Sequence, residues 1–313
     1  MKKILTFCVT TFVLLGVLFA TVPSCTRDEV YLSQSGQMDA DKANDEAFAL
    51  LNEQVCEYSA SFVANYPSDQ TRSWFGRIFR KIWKCIKITL ADVVGGVIGV
   101  VIEGDWGSTS QILSSKAARA KDNLSTENGK KYVPTGNLII PADNTLDSIG
   151  IRHNIVIKEV YNSDPEGFFT CTDDELAEKI IRKNEEQHGW VSPLVMHRLP
   201  AVSKKVDTIT AAIQKEVLNH LTSSSTEKEA IDALGAAIDI IARNMPESRD
   251  ELMVVKRYLQ TIVQLPENQI AEEYTVGFRR LVGTSAISDA SKSKIQSAVS
   301  IGINSDLLWQ ETD

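Results

Sequence analysis

Asp147-Ser148-Ile149-Gly150-Ile151-Arg152-His153-Asn154 holds the residues of this chain best suited to chemistry. Histidine ordinarily titrates near neutrality, so it is the usual proton carrier in catalysis. Asn154 beside it could orient a ring or hold a carbonyl. A general base also needs a nucleophile or an orienting acid at hand, and the neighbouring sequence supplies neither. His153 and Asn154 are therefore a candidate polar site, with a hydrogen-bonded core or capping histidine as the plainer expectation. His188, His197 and His220 stand alone. Glu185, Glu186 and His188 crowd one helix end and lack the spacing of a zinc set. No metal and no cofactor is expected. The chain carries no Gly-x-Ser-x-Gly elbow, phosphate loop or dinucleotide fingerprint. Of its five cysteines, Cys56, Cys85 and Cys171 are widely spread and form no CxxC. That argues against a zinc cluster and against a disulfide framework. They are expected as small buried apolar residues, with one pairing left open.

The elements that must position His153 read as helices. Ile149, His153, Val156, Ile157 and Val160 recur at helical spacing, with Asp147 as the expected N-cap. A strand, with Ile151, His153, Ile155 and Ile157 alternating, competes poorly with the length of the run. Downstream, Thr172 to Glu175, Thr226 to Glu229 and Ser248 to Glu251 each match the capping box, a polar N-cap with Glu three residues on. Helices are expected over about residues 173–187, 203–221, 227–243, 249–264, 267–282 and 288–301, punctuated by Pro246, Pro266 and Gly283. Residues 147–313 therefore read as a helical bundle domain, or as stacked helical hairpins. The uneven spacing of the capping boxes argues against a regular solenoid. The fold class is mainly α. A short irregular or β stretch is expected near residues 122–143, with turn chemistry at Asn128-Gly129 and Pro134-Thr135-Gly136-Asn137 and short strands at Tyr132-Val133 and Leu138-Ile139-Ile140. Residues 122–146 are the expected linker between two domains.

Before that linker, residues 45–121 form a second helical segment. A helix over about residues 41–66 presents Phe48, Leu51, Val55, Tyr58 and Phe62 on one face, and Pro67 ends it. Residues 72–87 then hold six basic side chains and no acidic one. On a helix Arg77, Arg80, Lys81, Lys84 and Lys87 share one side, and Phe75, Ile78, Phe79, Ile82 and Ile86 another. Cationic amphipathic helices with aromatics bind in the plane of anionic bilayers. Trp74, Phe75, Arg77, Arg80, Lys81, Trp83, Lys84 and Lys87 are thus candidate membrane-surface contacts. The charge-free run 93–102 is too short to span a bilayer, which takes roughly 17–25 residues. Gly95 and Gly99, four apart, would let another helix approach closely. The plainer expectation is a buried glycine-rich core helix beside basic groups that meet this chain's own acids.

The first residues set an address. Met1-Lys2-Lys3 is positive, residues 4–20 carry no charge, and Val22-Pro23-Ser24-Cys25 follows. This is the layout of a secretory leader, expected as residues 1–24. It resembles the leader of bacterial lipoproteins. The resemblance implies acylation of the Cys25 thiol, cleavage before it and a membrane attachment detectable with palmitate analogues. Thr26-Arg27-Asp28-Glu29 resembles the acidic stretch after the lipidated cysteine of surface-exported lipoproteins of Bacteroidota-type bacteria. Residues 25–44 are expected as an acidic tether. Gly150, His153 and Asn154, with Asp92, Gly95 and Gly99 before them, resemble a Gly-x-x-His-Asn step in uncharacterised lipoproteins of the same bacteria, which implies an envelope location and no stated activity.

The net charge of −8 excludes the usual nucleic-acid binder. Hydrophobic residues make up 43 % of the chain, enough for a core of ordinary size. The expected protein is an outer-membrane lipoprotein of the bacterial cell envelope, anchored at Cys25, whose helices bind an unidentified protein or surface ligand without catalysis. Two other readings compete with it. One is a membrane-active, toxin-like effector working through residues 74–102. The other is an enzyme built on His153 and Asn154.

Overall fold

Polar caps and apolar stripes turn most of this sequence into helix. The computed structural model describes residues 27–66, 72–101, 107–119, 131–136, 147–189, 191, 193–265 and 268–312. The helices are α1 (Arg27–Asn65), α2 (Arg72–Lys84), α3 (Leu90–Val101), α4 (Ser108–Arg119), α5 (Asp147–Ser163), α6 (Pro165–Thr170), α7 (Asp173–His188), α8 (Pro193–Ile213), α9 (Asn219–Ser223), α10 (Glu227–Asn244), α11 (Arg249–Ile262), α12 (Asn268–Thr284) and α13 (Asp289–Leu308). The π turn Cys85–Thr89 joins α2 to α3, and a second, Gln214–Leu218, joins α8 to α9. Strand β1 (Lys131–Val133) pairs antiparallel with β2 (Gln310–Thr312), with Tyr132 opposite Glu311. The protein is a mainly α helical bundle.

The chain divides into residues 1–46 and Ala47–Asp313. Described residues of the first unit begin α1, where Lys42 lies 4.0 Å from Glu46. The expected tether is thus helical from Arg27 on. Its Ala, Glu, Gln, Leu and Lys residues favour helix by propensity, without needing an apolar face. Cys25 and the leader lie outside the described residues.

In the second unit α3 packs mainly on α4 and α13, and α13 also packs on α5. The larger apolar cluster includes Leu51, Ile82, Val97, Leu234, Phe278 and Val299. Its members come from both sides of residues 122–146, so that stretch is not the boundary between domains that the sequence suggested. The described residues on both sides of it belong to one unit instead. Tyr58 stacks on Tyr274 at 5.3 Å, and Ser59 Oγ lies 2.7 Å from the Tyr274 hydroxyl. A smaller cluster gathers Ile112, Val156, Ile157, Phe168, Ile180 and Trp309. Ile149, His153, Val156, Ile157 and Val160 are all buried, as the helical spacing requires.

Two capping boxes form as expected, at Thr172 with Glu175 and at Thr226 with Glu229. The third does not. Ser248 makes no cap bond: Lys294 Nζ of α13 donates to its Oγ at 3.3 Å, and Glu251 is drawn across to the same helix, where Ser291 Oγ and Lys294 Nζ donate to its Oε1 at 2.9 and 3.0 Å. Thr226→Ala is therefore expected to cost about 1 kcal/mol, and Ser248→Ala clearly less, in urea unfolding followed by circular dichroism. Helix α8 starts ten residues before its expected position and carries Pro200 inside it. Helix α13 runs on to Leu308, since Asn304 and Ser305, which interrupt its apolar pattern, are themselves buried. Tyr132-Val133 forms a strand as expected, but its partner is the carboxyl-terminal segment. Leu138-Ile139-Ile140 lies outside the described residues.

Candidate functional site

Four helices bring one polar group together. Asp92 comes from α3, Ser110 and Ser114 from α4, His153 and Asn154 from α5, and Ser300 and Asn304 from α13. Asp92, Ser114 and His153 are fully buried. Helix α4 is unusual in sequence: its run Ser108-Thr109-Ser110-Gln111-Ile112-Leu113-Ser114-Ser115 is polar on most sides, yet every residue of it is buried. Buried hydroxyls and amides need partners, and α4 finds them on its neighbours. Ser110 Oγ donates to the Asp92 backbone oxygen and to Asp92 Oδ1, at 3.1 and 3.0 Å. Asn184 Nδ2 of α7 donates to Gln111 Oε1 at 2.5 Å.

The hydrogen bonds around His153 dictate where protons sit. Asn154 Nδ2 donates to the Asn304 carbonyl at 2.7 Å, so Asn154 Oδ1 faces His153 Nδ1 at 3.0 Å and accepts from it. Nδ1 therefore carries hydrogen. Nε2 lies 2.8 Å from Asp92 Oδ1. That contact requires one proton between them, giving either imidazolium beside carboxylate or imidazole beside carboxylic acid. Burial alone would push His153 down, but the Asp92 carboxylate and the hydrogen bonds to Asp92 and Asn154 outweigh it and hold His153 above its ordinary value of 6.5. Among the described residues Asp92 Oδ2 finds no hydrogen-bond partner.

This arrangement holds the ring in place. Ser114 Oγ approaches the same nitrogen as Asp92, Nε2, at 3.4 Å. A Ser-His-acid relay needs nucleophile and acid on opposite ring nitrogens, and here Asn154 occupies the opposite one. Glycine makes the close packing possible at two points. A Cβ on Gly95 would lie 2.5 Å from Ser110 Cα, and one on Gly150 would lie 2.4 Å from the Ser300 carbonyl oxygen.

The basic helix is placed differently from a free amphipathic surface. Ile78, Ile82 and Ile86 are buried in the larger core. Lys84 lies 2.8 Å from Asp306 Oδ1, and Lys81 Nζ donates to the Leu265 carbonyl at 2.8 Å. Burial pushes Lys81 down. Arg77 and Arg80 are exposed, and Trp83 is half-buried against Phe79. The side chains of Trp74, Phe75 and Lys87 lie outside the described residues. No described helix is long and apolar enough to cross a membrane, and no described cluster of His, Cys, Asp and Glu could hold a metal ion. Cys56, Cys85 and Cys171 are free thiols, and burial pushes Cys85 far up.

Sequence reasoning found His153 and Asn154, and a resemblance drew attention to Asp92, Gly95 and Gly150. Ser110, Ser114 and Asn304 escaped it. The available signal was the density of hydroxyl and amide residues in α4, which reads equally well as an exposed helix. Fold and site together define a mainly α-helical protein built around a sealed polar group. Comparison with protein-family models, curated proteins and solved structures found no match.

Proposed function

We propose that this chain is a lipid-anchored protein of the bacterial cell envelope, an outer-membrane lipoprotein whose helical body is a non-catalytic binding module. The observation that carries the reading is the charge-free run of residues 4–20 followed by Val22-Pro23-Ser24-Cys25. The commitment of both His153 ring nitrogens, to Asn154 and to Asp92, supports a body that binds rather than reacts. The partner is a protein or a surface ligand. Cells labelled with an alkyne analogue of palmitate are expected to yield labelled protein, and Cys25→Ala is expected to lose the label entirely. Absence of label on the unsubstituted chain would defeat the reading.

The toxin-like alternative requires Ile78, Ile82 and Ile86 to leave the core before they can meet a bilayer. Vesicles of anionic phospholipid loaded with a self-quenching dye separate the two. The binding-module reading expects the full chain to release no dye; release by the full chain supports the alternative.

A further inference from the structure

A cavity of about 120 Å3 opens among α2, α3, α4, α8 and α10. Ile86, Leu90, Val94, Leu113, Ile209 and Ile241 make most of its wall. Its polar residues gather on one side. Asp207, Thr210 and Gln214 project from one face of the α8 stretch and are exposed, with Lys116 of α4 opposite them. Lys116 Nζ lies 2.9 Å from Asp207 Oδ1, donates to Ser203 Oγ at 2.8 Å and lies 3.6 Å from Asp173 Oδ2.

A second observation points to the same place. Both π turns border this cavity, the first through Ile86 and the second through Gln214 and Leu218. A π turn gives up regular helical hydrogen bonding, is rare, and is found frequently at functional sites. Two of them facing one apolar void from different helices would be a costly accident of packing. The void is also the right size. An apolar cavity of roughly 150 Å3 holds one benzene molecule.

The rim decides the ligand's polarity. Its charges already neutralise one another, Lys116 against Asp207 and Asp173, with Arg119 of α4 also beside Asp173 at 3.6 Å. An anionic head would have to displace a carboxylate, and a cationic head would have to displace Lys116. A hydroxyl or amide needs neither, since the Thr210 hydroxyl and the Gln214 amide both donate and accept. We propose that this cavity binds a small uncharged amphiphile, with an apolar body of about six carbon atoms in the void and one hydroxyl or amide at Thr210 and Gln214. This gives the binding module a ligand class, and its biological meaning rests on that reading.

The test is titration calorimetry of the purified full chain with 1-hexanol, hexanoate and hexylammonium. Hexanol is expected to bind at least ten-fold more tightly than either charged analogue. Ala117→Phe, which fills the void, is expected to weaken hexanol at least ten-fold while the melting temperature holds or rises. Thr210→Val is expected to weaken it several-fold. Should Ala117→Phe fail to fold, Ala91→Leu fills the same cavity from α3 and is read in the same way. Absent hexanol binding, equal binding of the three probes, or hexanol binding indifferent to the filled cavity would each overturn the proposal. Lipid labelling at Cys25 is unaffected by any of these results, so the ligand and the anchor fail separately.

Discussion

Asp92→Ala is expected to lower the stability of the fold by about 3–5 kcal/mol, the usual cost of removing one partner from a buried charged pair. The substitution leaves His153 Nε2, fully buried, facing no acid, and it takes the side-chain acceptor from Ser110 Oγ. Asp92→Asn is the informative comparison. An amide N–H placed opposite Nε2 can donate to it while Nδ1 still donates to Asn154, so no proton need be shared. The expected loss is smaller, about 1–2 kcal/mol, for one less favourable buried hydrogen bond.

The two proteins should also differ in pH dependence. An unfolded histidine releases its proton near 6.5, and folded His153 holds it to a higher pH. Between those values folding takes up a proton, so stability falls as pH rises. This contribution is fully present below 6.5 and is lost as pH rises through the folded value. Asp92 is the charged group facing the ring, and the neighbours from α4, α5 and α13 are neutral: Ser110, Ser114, Asn154 and Asn304. The urea midpoint of the unsubstituted protein should therefore decline above 6.5, and that of Asp92→Asn should stay flatter over the same range. Equal slopes would show that the proton between His153 and Asp92 does not contribute.

Gly95→Leu is the second large effect, a destabilisation of about 3 kcal/mol, at the upper end of overpacking costs. The first atom it adds would lie 2.5 Å from Ser110 Cα and 3.0 Å from Ser110 N. Those are backbone atoms, so α4 must move bodily. The movement also strains the Ser110 hydroxyl bonds to Asp92, which couples this site to the polar group. Gly76 is the control. A Cβ there meets nothing within 4 Å. Gly76→Ala should instead stabilise by about 0.5–1 kcal/mol, because alanine loses less backbone freedom on entering a helix. Thermal melts of the two variants should move in opposite directions. A Gly95→Leu protein as stable as the parent would mean that α3 and α4 do not touch as described.

Helices are legible in this sequence because their signals are local. Thr172 and Glu175 lie within one turn, and the stripe from Ile149 to Val160 repeats within one element, so no distant residue is needed to read them. The box expected at Ser248 shows the limit. Its geometry was present in the sequence, but Ser291 and Lys294, forty residues away, offered Glu251 better partners. The strand pair is another case. Tyr132-Val133 could be read as a strand, yet a strand's partner is set by topology, and here it is the far end of the chain.

By itself the sequence determined that the body is helical, where most of its helices lie, and that His153 sits on a buried face, because periodicity and capping are properties of neighbouring residues. Tertiary structure alone decided what His153 faces. Asp92 is sixty-one positions from it and Asn304 is 150 from Asn154. Only the crossing of α3, α4, α5 and α13, close enough because Gly95 and Gly150 lack side chains, turns those separate polar residues into one group sharing a proton. Packing of α2 on α10 likewise turns the isoleucine face of α2 inward, so a stripe that could serve a bilayer packs against the protein's own core.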